Sequence, residues 1–208
     1  MSVKYSVKAD VIDIKTDSPQ KGDIFLVDTN VWYWLTYPPA SLPPDSYQNS
    51  YSNYIEASVA VEATLCCSGL SLAELAHRIE TEEHKLSRYG STTDPDYRKK
   101  AKEYRHNYIP ERARVVSKVE AAWNQVEGLS VQIDLKLDKA TVDAAVTRFR
   151  TQCLDGYDLF ILESMKQESL TKIITDDGDY VNVPGIQMFT ANPGVIKAAR
   201  KEGKLIIR

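Results

Sequence analysis

The chain has 208 residues, 43% of them hydrophobic, and a formal net charge of -3. That is enough for one well-filled core and short for two independent domains, and the slight acidity argues against a uniformly basic nucleic-acid binder. No apolar run approaches the roughly 20 residues that cross a bilayer, and the N-terminus joins no basic start to an apolar stretch, so a cytoplasmic protein without membrane association is expected. Cys66, Cys67 and Cys153 lack metal-site spacing, and two adjacent cysteines are a poor start for a disulfide framework; they read as small core residues.

Residues 1–22 are polar, with one alternating stretch, Val11 to Ile14, that predicts an added edge strand; this part reads as an N-terminal extension to a main unit at 23–208. The run Ile24-Phe25-Leu26-Val27 is wholly apolar, as a strand buried on both faces of a parallel sheet would be. Asp28-Thr29-Asn30 then offers N-cap candidates to an aromatic helix through Val31 to Leu35. After the break at Pro38 to Pro44, Tyr47 to Thr64 reads as helix, Leu65 to Leu70 as a connector or strand, and Ser71 onward as helix. A helical insertion is expected at 80–127, interrupted near Thr92 to Pro95 and at Pro110. Its middle is basic: Arg98, Lys99, Lys100, Lys102, Arg105, Arg112, Arg114 and Lys118 have only Glu103 and Glu111 as acidic neighbours in sequence. Beyond Val131 helices are predicted at 139–152, 156–168 and 193–201, and strands at 170–175, 186–190 and 205–207. Helices alternating with short apolar strands imply an α/β three-layer sandwich with a mainly parallel central sheet.

Four acids fall at strand ends or helix starts: Asp28, Glu74, Asp158 and Asp177. In open α/β sheets the functional crevice lies outside the carboxyl ends of the strands, so these are the addresses at which a site would form. Each has a plainer reading beside it. Ser71-x-x-Glu74 fits a capping box. Asp155 and Asp158 fit favourable charge at a helix N-terminus. Asp176 to Asp179 fits an acidic turn. Asp28 is harder to dismiss, because a carboxylate directly after a doubly buried strand costs several kcal/mol to desolvate unless a cation or hydrogen bonds compensate.

Phe25-Leu-Val-Asp28-Thr-Asn30, Ser71-Leu-Ala-Glu74-Leu, Gly156-Tyr-Asp158-Leu-Phe-Ile161 and Ile174-Thr175-Asp176-Asp177-Gly-Asp179-Tyr180 together resemble, in order and context, the PIN-domain nucleases, VapC-like ribonucleases among them. The resemblance runs from about Ile24 to Asn192, with a longer N-terminus and a longer helical insertion than the compact toxin members have. It implies a metal-dependent endoribonuclease in which Asp28, Glu74, Asp158 and Asp177 bind Mg²⁺ or Mn²⁺, with Asp176 and Asp179 competing for the fourth place and Asn30 and Thr175 as supporting polar groups. Oxygen-only ligands suit such hard ions, which activate water for attack on phosphorus.

The basic segment, represented by Arg98, Lys99, Lys102, Arg105, Arg112 and Arg114, is expected to hold the RNA by displacing counterions from phosphates, against the alternative of a solvated helical face. Tyr97, Tyr104 and Tyr108 are interleaved there, as base-stacking or helix-packing residues. His77, three residues after Glu74, is placed beside the site or in solvent. The expected partners are RNA, an antitoxin protein if the chain is a toxin, and a second copy in a homodimer. A structure-specific DNase and a non-catalytic RNA-binding or scaffolding PIN domain stand as alternatives. A dinucleotide-binding protein is disfavoured by the lack of glycines after the first strand.

Overall fold

The computed structural model describes residues 3–38, 43, 45–87 and 97–208, the side chains of 97–100 excepted. Strands β1 (Asp10–Asp13) and β2 (Ile24–Val27) lead into α1 (Thr29–Thr36) and α2 (Asn49–Ala60). Then come β3 (Thr64–Ser68), α3 (Gly69–Leu86), α4 (Tyr97–Asn107), α5 (Ile109–Leu129) and β4 (Val131–Ile133). The chain continues through α6 (Lys139–Thr151), α7 (Gly156–Gln167), β5 (Lys172–Ile174), a 3₁₀ turn (Gly178–Asn182), β6 (Gln187–Thr190), α8 (Pro193–Lys201) and β7 (Leu205–Ile206).

The strands form one seven-stranded sheet in the order β4-β3-β2-β5-β6-β1-β7, and every neighbouring pair is parallel. The expected α/β sandwich is therefore present, with a sheet that is parallel throughout. Its three layers follow from the period-2 alternation of the strands. Leu26, Cys66, Ile173 and Met188 point into one core with α6, α7 and α8, while Phe25, Val27, Leu65, Cys67, Ile174 and Phe189 point into another with α1, α2, α3 and α5.

Several boundaries differ from those expected. The strand near Val11 does not lie at the edge: β7 pairs outside it, and Val11 and Ile12 are fully buried. Thr64 to Ser68 is a strand beside β2, which ends the preceding helix at Ala60. Ser68, not Ser71, caps α3, accepting from Leu70 N, so Glu74 lies in the second turn. The interruption expected at Pro110 falls at Tyr108, between α4 and α5, and leaves Pro110 in the first turn of α5, where the missing N–H costs nothing. Cys66 and Cys67 are buried, whereas Cys153 is exposed, contrary to a core role. Thr92 to Pro95 lie outside the described residues, and no described helix is long and apolar enough to cross a membrane.

This topology sets the site. From β2 the chain builds outward through β3 to β4, then returns to β5 on the other flank of β2, which makes β2/β5 a switch in strand order. Val27 pairs with Ile174, so the residues that follow, Asp28 and Thr175, emerge side by side at the carboxyl end.

Candidate active site

Asp28 is 4% exposed and caps α1. Its Oδ1 accepts from Thr29 N at 2.6 Å and its Oδ2 from the Thr175 hydroxyl at 2.5 Å. Thr175 in turn accepts from Asp177 N at 2.9 Å and from Asn30 Nδ2 at 3.4 Å, so one threonine hydroxyl ties the ends of β2 and β5 together. Burial raises the Asp28 carboxyl to about 7, opposed by the Thr175 bond and reinforced by the charges of Glu74 and Asp177.

Asp158 lies in the first turn of α7, which Asp155 caps through bonds from Tyr157 N and Asp158 N. Asp155 thus takes the helix-capping task, leaving the Asp158 side chain free of it. Asp158 is 6% exposed; its Oδ1 accepts from the Tyr180 hydroxyl at 2.7 Å, and its Oδ2 is buried with no protein hydrogen-bond partner. Burial, and then the charge of Asp28, push its carboxyl up to about 8, against the Tyr180 bond.

Glu74 is half-buried, raised chiefly by burial, and subject to the charges of Asp155 and Asp177. Thr29 Oγ1 lies near it but is buried without a satisfied hydrogen bond. The helix start at Gly69 removes the capping-box reading of Glu74. Asp177 caps the 3₁₀ turn, accepting from Asp179 N at 2.9 Å, and Asp179 is exposed. Asp176 is otherwise engaged: its Oδ1 accepts from Tyr51 at 2.8 Å and its Oδ2 from Tyr47 at 3.1 Å, which fastens α2 to this turn.

From four separate elements, Asp177 thus comes into electrostatic range of Asp28, Glu74 and Asp158, and Asp28 into range of Glu74 and Asp158. Among the described residues no three His, Cys, Asp or Glu side chains are grouped as a cage that could hold a metal ion. A hard ion such as Mg²⁺ needs no such cage, since it keeps several waters and is commonly held through one or two carboxylates and substrate phosphate. The unpartnered Asp158 Oδ2 and the mutually repelling, oxygen-only donors fit a cation of that kind.

The basic segment is less uniform in space than along the chain. Arg105 forms a fork to Glu80 at 2.6 and 2.9 Å, Arg112 reaches the same glutamate at 3.5 Å, and Lys118 pairs with Glu83 at 2.6 Å. The acids that answer it come from α3, not from its own neighbours in sequence. Lys102 and Arg114 are exposed, with no ion-pair partner among the described residues. Arg98, Lys99, Lys100 and Tyr97 have side chains outside the described residues. Tyr104 is 2% exposed and packs near His84 and Tyr108, so it serves helix packing. His77 is exposed, and lines clefts with Tyr104 and Arg105 on one side and Tyr33 and Arg78 on the other.

Sequence reasoning gave no role to Tyr180, Tyr51 or Tyr5. Tyr180 ends the Ile174-to-Tyr180 motif, but nothing local in the sequence signals its bond to Asp158. Tyr5 packs its phenolic end against Gly178, in the acidic turn, where any Cβ would collide with the ring. Burial, with the charges of Asp177 and Asp179, raises its hydroxyl above the usual value. Gly178→Ala is therefore expected to cost about 1–3 kcal/mol by overpacking, read as a fall in melting temperature. Adding Tyr5→Ala should recover part of that loss; no recovery would show that the collision is not with Tyr5.

No curated protein sequence matches the chain at a significant level. A family model described as PIN domain matches residues 25–186, a span that holds all four acids together with Asn30 and Thr175. The chain belongs to the PIN-domain family, whose members are generally nucleases.

Proposed function

We propose that this protein is a metal-dependent endoribonuclease that hydrolyses RNA with Asp28 and Asp158 as the central pair and Glu74 and Asp177 completing the acidic site. The observation that carries the reading is the buried pair itself: two carboxylates, each held by a hydroxyl donor, repel one another, and one oxygen of Asp158 has no partner. Structural carboxylates are normally buried with their bonds satisfied.

Asp28 and Asp158 would hold Mg²⁺ or Mn²⁺, which when bound supplies an acidified water and neutralises charge developing at phosphorus. Thr175 orients Asp28, and Asn30 steadies Thr175. Tyr180 donates to one oxygen of Asp158 and restricts its rotamer, while the second oxygen keeps no protein partner. Glu74 and Asp177 add negative charge around the pair, and Asp179 stands further out at the rim. Asp176 serves as an anchor for α2 through Tyr47 and Tyr51. Independence from the substrate 2′-hydroxyl suits hydrolysis to a 5′-phosphate and 3′-hydroxyl.

The partner in this reading is RNA, approached with help from Lys102 and Arg114 and from Arg105 and Arg112 where they exchange Glu80 for phosphate. Residues 23–208 would form the nuclease unit, with 1–22 an extension whose strand lies between β6 and β7 and 80–127 a helical insertion. A VapC-like toxin restrained by an antitoxin, or an RNA-processing enzyme, acting in the cytoplasm alone or as a homodimer, are the roles we attach to it. The deciding assay offers single-stranded RNA and branched DNA with Mg²⁺ or Mn²⁺, with and without EDTA. RNA cleavage that EDTA abolishes supports the reading; preferential cutting of branched DNA moves it to a structure-specific DNase, and no cutting of either to a binding PIN domain.

A further inference from the structure

A groove lies between α1 and α3, one helical turn beyond Glu74, and its lining is unlike that of the acidic crevice. It is formed by Tyr33 and Trp34 from α1 and by His77, Arg78 and Lys85 from α3, with Glu82 as its acid. Both aromatic residues are half-buried and line the groove. Tyr33 stacks on Tyr37 with centroids 5.3 Å apart and planes 30° apart, and the Tyr37 ring is itself buried. Trp34 leans on Tyr51 at 5.7 Å, and the Tyr51 hydroxyl holds Asp176 at 2.8 Å. The aromatic platform and the acidic turn are therefore braced on the same side chain.

Arg78 joins the two regions. Its guanidinium is centred 5.6 Å from the Tyr33 ring, while its Nε stands 3.7 Å from Glu74 Oε1. Four residues of helix advance the chain by about 6 Å, so the cation sits one step along from the acid it faces. At 3.7 Å, with the Arg78 side chain 41% exposed and that of Glu74 22%, the pair is loose, and a phosphate arriving beside Glu74 would take the guanidinium as its partner at little cost. A planar cation against an aromatic face, with Lys85 further along the wall where it pairs with Glu82 at 3.3 Å, is the chemistry that receives a nucleotide whose base is unpaired. A duplex offers no base face to such a platform.

From this arrangement we infer that the groove between α1 and α3 is a substrate subsite for an unpaired nucleotide flanking the bond to be cut, with Tyr33 and Trp34 receiving the base and Arg78 the phosphate. This rests on the nuclease reading above.

The test is binding without cleavage. Full-length Asp28→Asn protein in EDTA is titrated against a fluorescently labelled ten-nucleotide oligoadenylate, an abasic phosphodiester chain of equal length and a blunt RNA duplex. Oligoadenylate should bind tightest. Tyr33→Leu should weaken it by about 5- to 100-fold and erase its advantage over the abasic chain, while Tyr33→Phe preserves that advantage. Arg78→Gln should weaken both single strands about equally and lower the salt slope by roughly one. The inference is overturned if a folded Tyr33→Leu protein keeps the base preference, or if the duplex binds as well as oligoadenylate. RNA cleavage by the wild type together with an unaffected Tyr33→Leu protein would remove the subsite and leave the nuclease standing. Base-dependent binding with no cleavage would do the reverse.

Discussion

Asp28→Asn is expected to lower metal-dependent RNA cleavage by on the order of 10²–10³-fold while the protein stays folded, since a ligand that helps neutralise transition-state charge is worth several kcal/mol. The substitution keeps volume and removes the anion. It also creates a local conflict that the structure makes explicit. The Thr175 hydroxyl donates to Asp28 Oδ2 and already accepts from Asp177 N and Asn30 Nδ2. An amide nitrogen at Oδ2 would be a third donor to that oxygen, and at Oδ1 it would face the donor Thr29 N. One hydrogen bond at the β2/β5 junction is lost either way, a cost of about 1–3 kcal/mol offset by no longer burying a charge. The melting temperature should therefore move by only a few degrees. Thr175→Val, which leaves the anion and removes its orienting donor, should lose about 10- to 100-fold. Cleavage by Asp28→Asn within tenfold of wild type would show that Asp28 is not a ligand.

The contrast between Asp28 and its surroundings explains what could be read without coordinates. Asp28 announces itself because four consecutive apolar residues precede it, and Asp158 and Asp177 because Gly156 and the Ile173-Ile174 run mark a helix start and a strand end. Those signals are local. The β3/α3 boundary was hidden because Thr64 to Leu75 is one mixed run of small and apolar residues in which Ser68 and Ser71 both resemble caps; pairing with β2 chooses Ser68. The interior place of β1 depends on β7, a two-residue strand almost 200 positions away with no periodicity to read. The same holds for the groups that tune the acids. Tyr51 meets Asp176 across 125 positions and Arg105 meets Glu80 across 25, and neither spacing carries a helical or strand period. Propensity and pattern thus locate the carboxylates, whereas the hydroxyl donors that orient them arise only from packing.

The second large effect concerns stability and its sign. With Asp28 raised to about 7 and Asp158 to about 8, the native state holds protons that the unfolded chain releases near pH 4. Their contribution is complete below about pH 4 and is lost as pH rises through 7 to 8, the opposite of the usual salt-bridged aspartate. The two titrate as a coupled pair, and a rise of about three pH units for a single group already corresponds to on the order of 4 kcal/mol. For a chain of this length that is about 10 °C of melting temperature between pH 5 and pH 8.5 in EDTA. Asp158→Asn should remove much of the slope: the amide oxygen still accepts from Tyr180, and the neighbouring negative charge no longer opposes ionisation of Asp28. In the wild type, Mg²⁺ or Mn²⁺ at about 100 times its dissociation constant should return roughly 2.7 kcal/mol at pH 8.5, release protons on binding, and do neither for Asp158→Asn. The difference between the two proteins isolates the pair from every other titrating group. If their melting curves run parallel from pH 5 to 8.5 and respond equally to Mn²⁺, the crowded carboxylates are not where the ion binds.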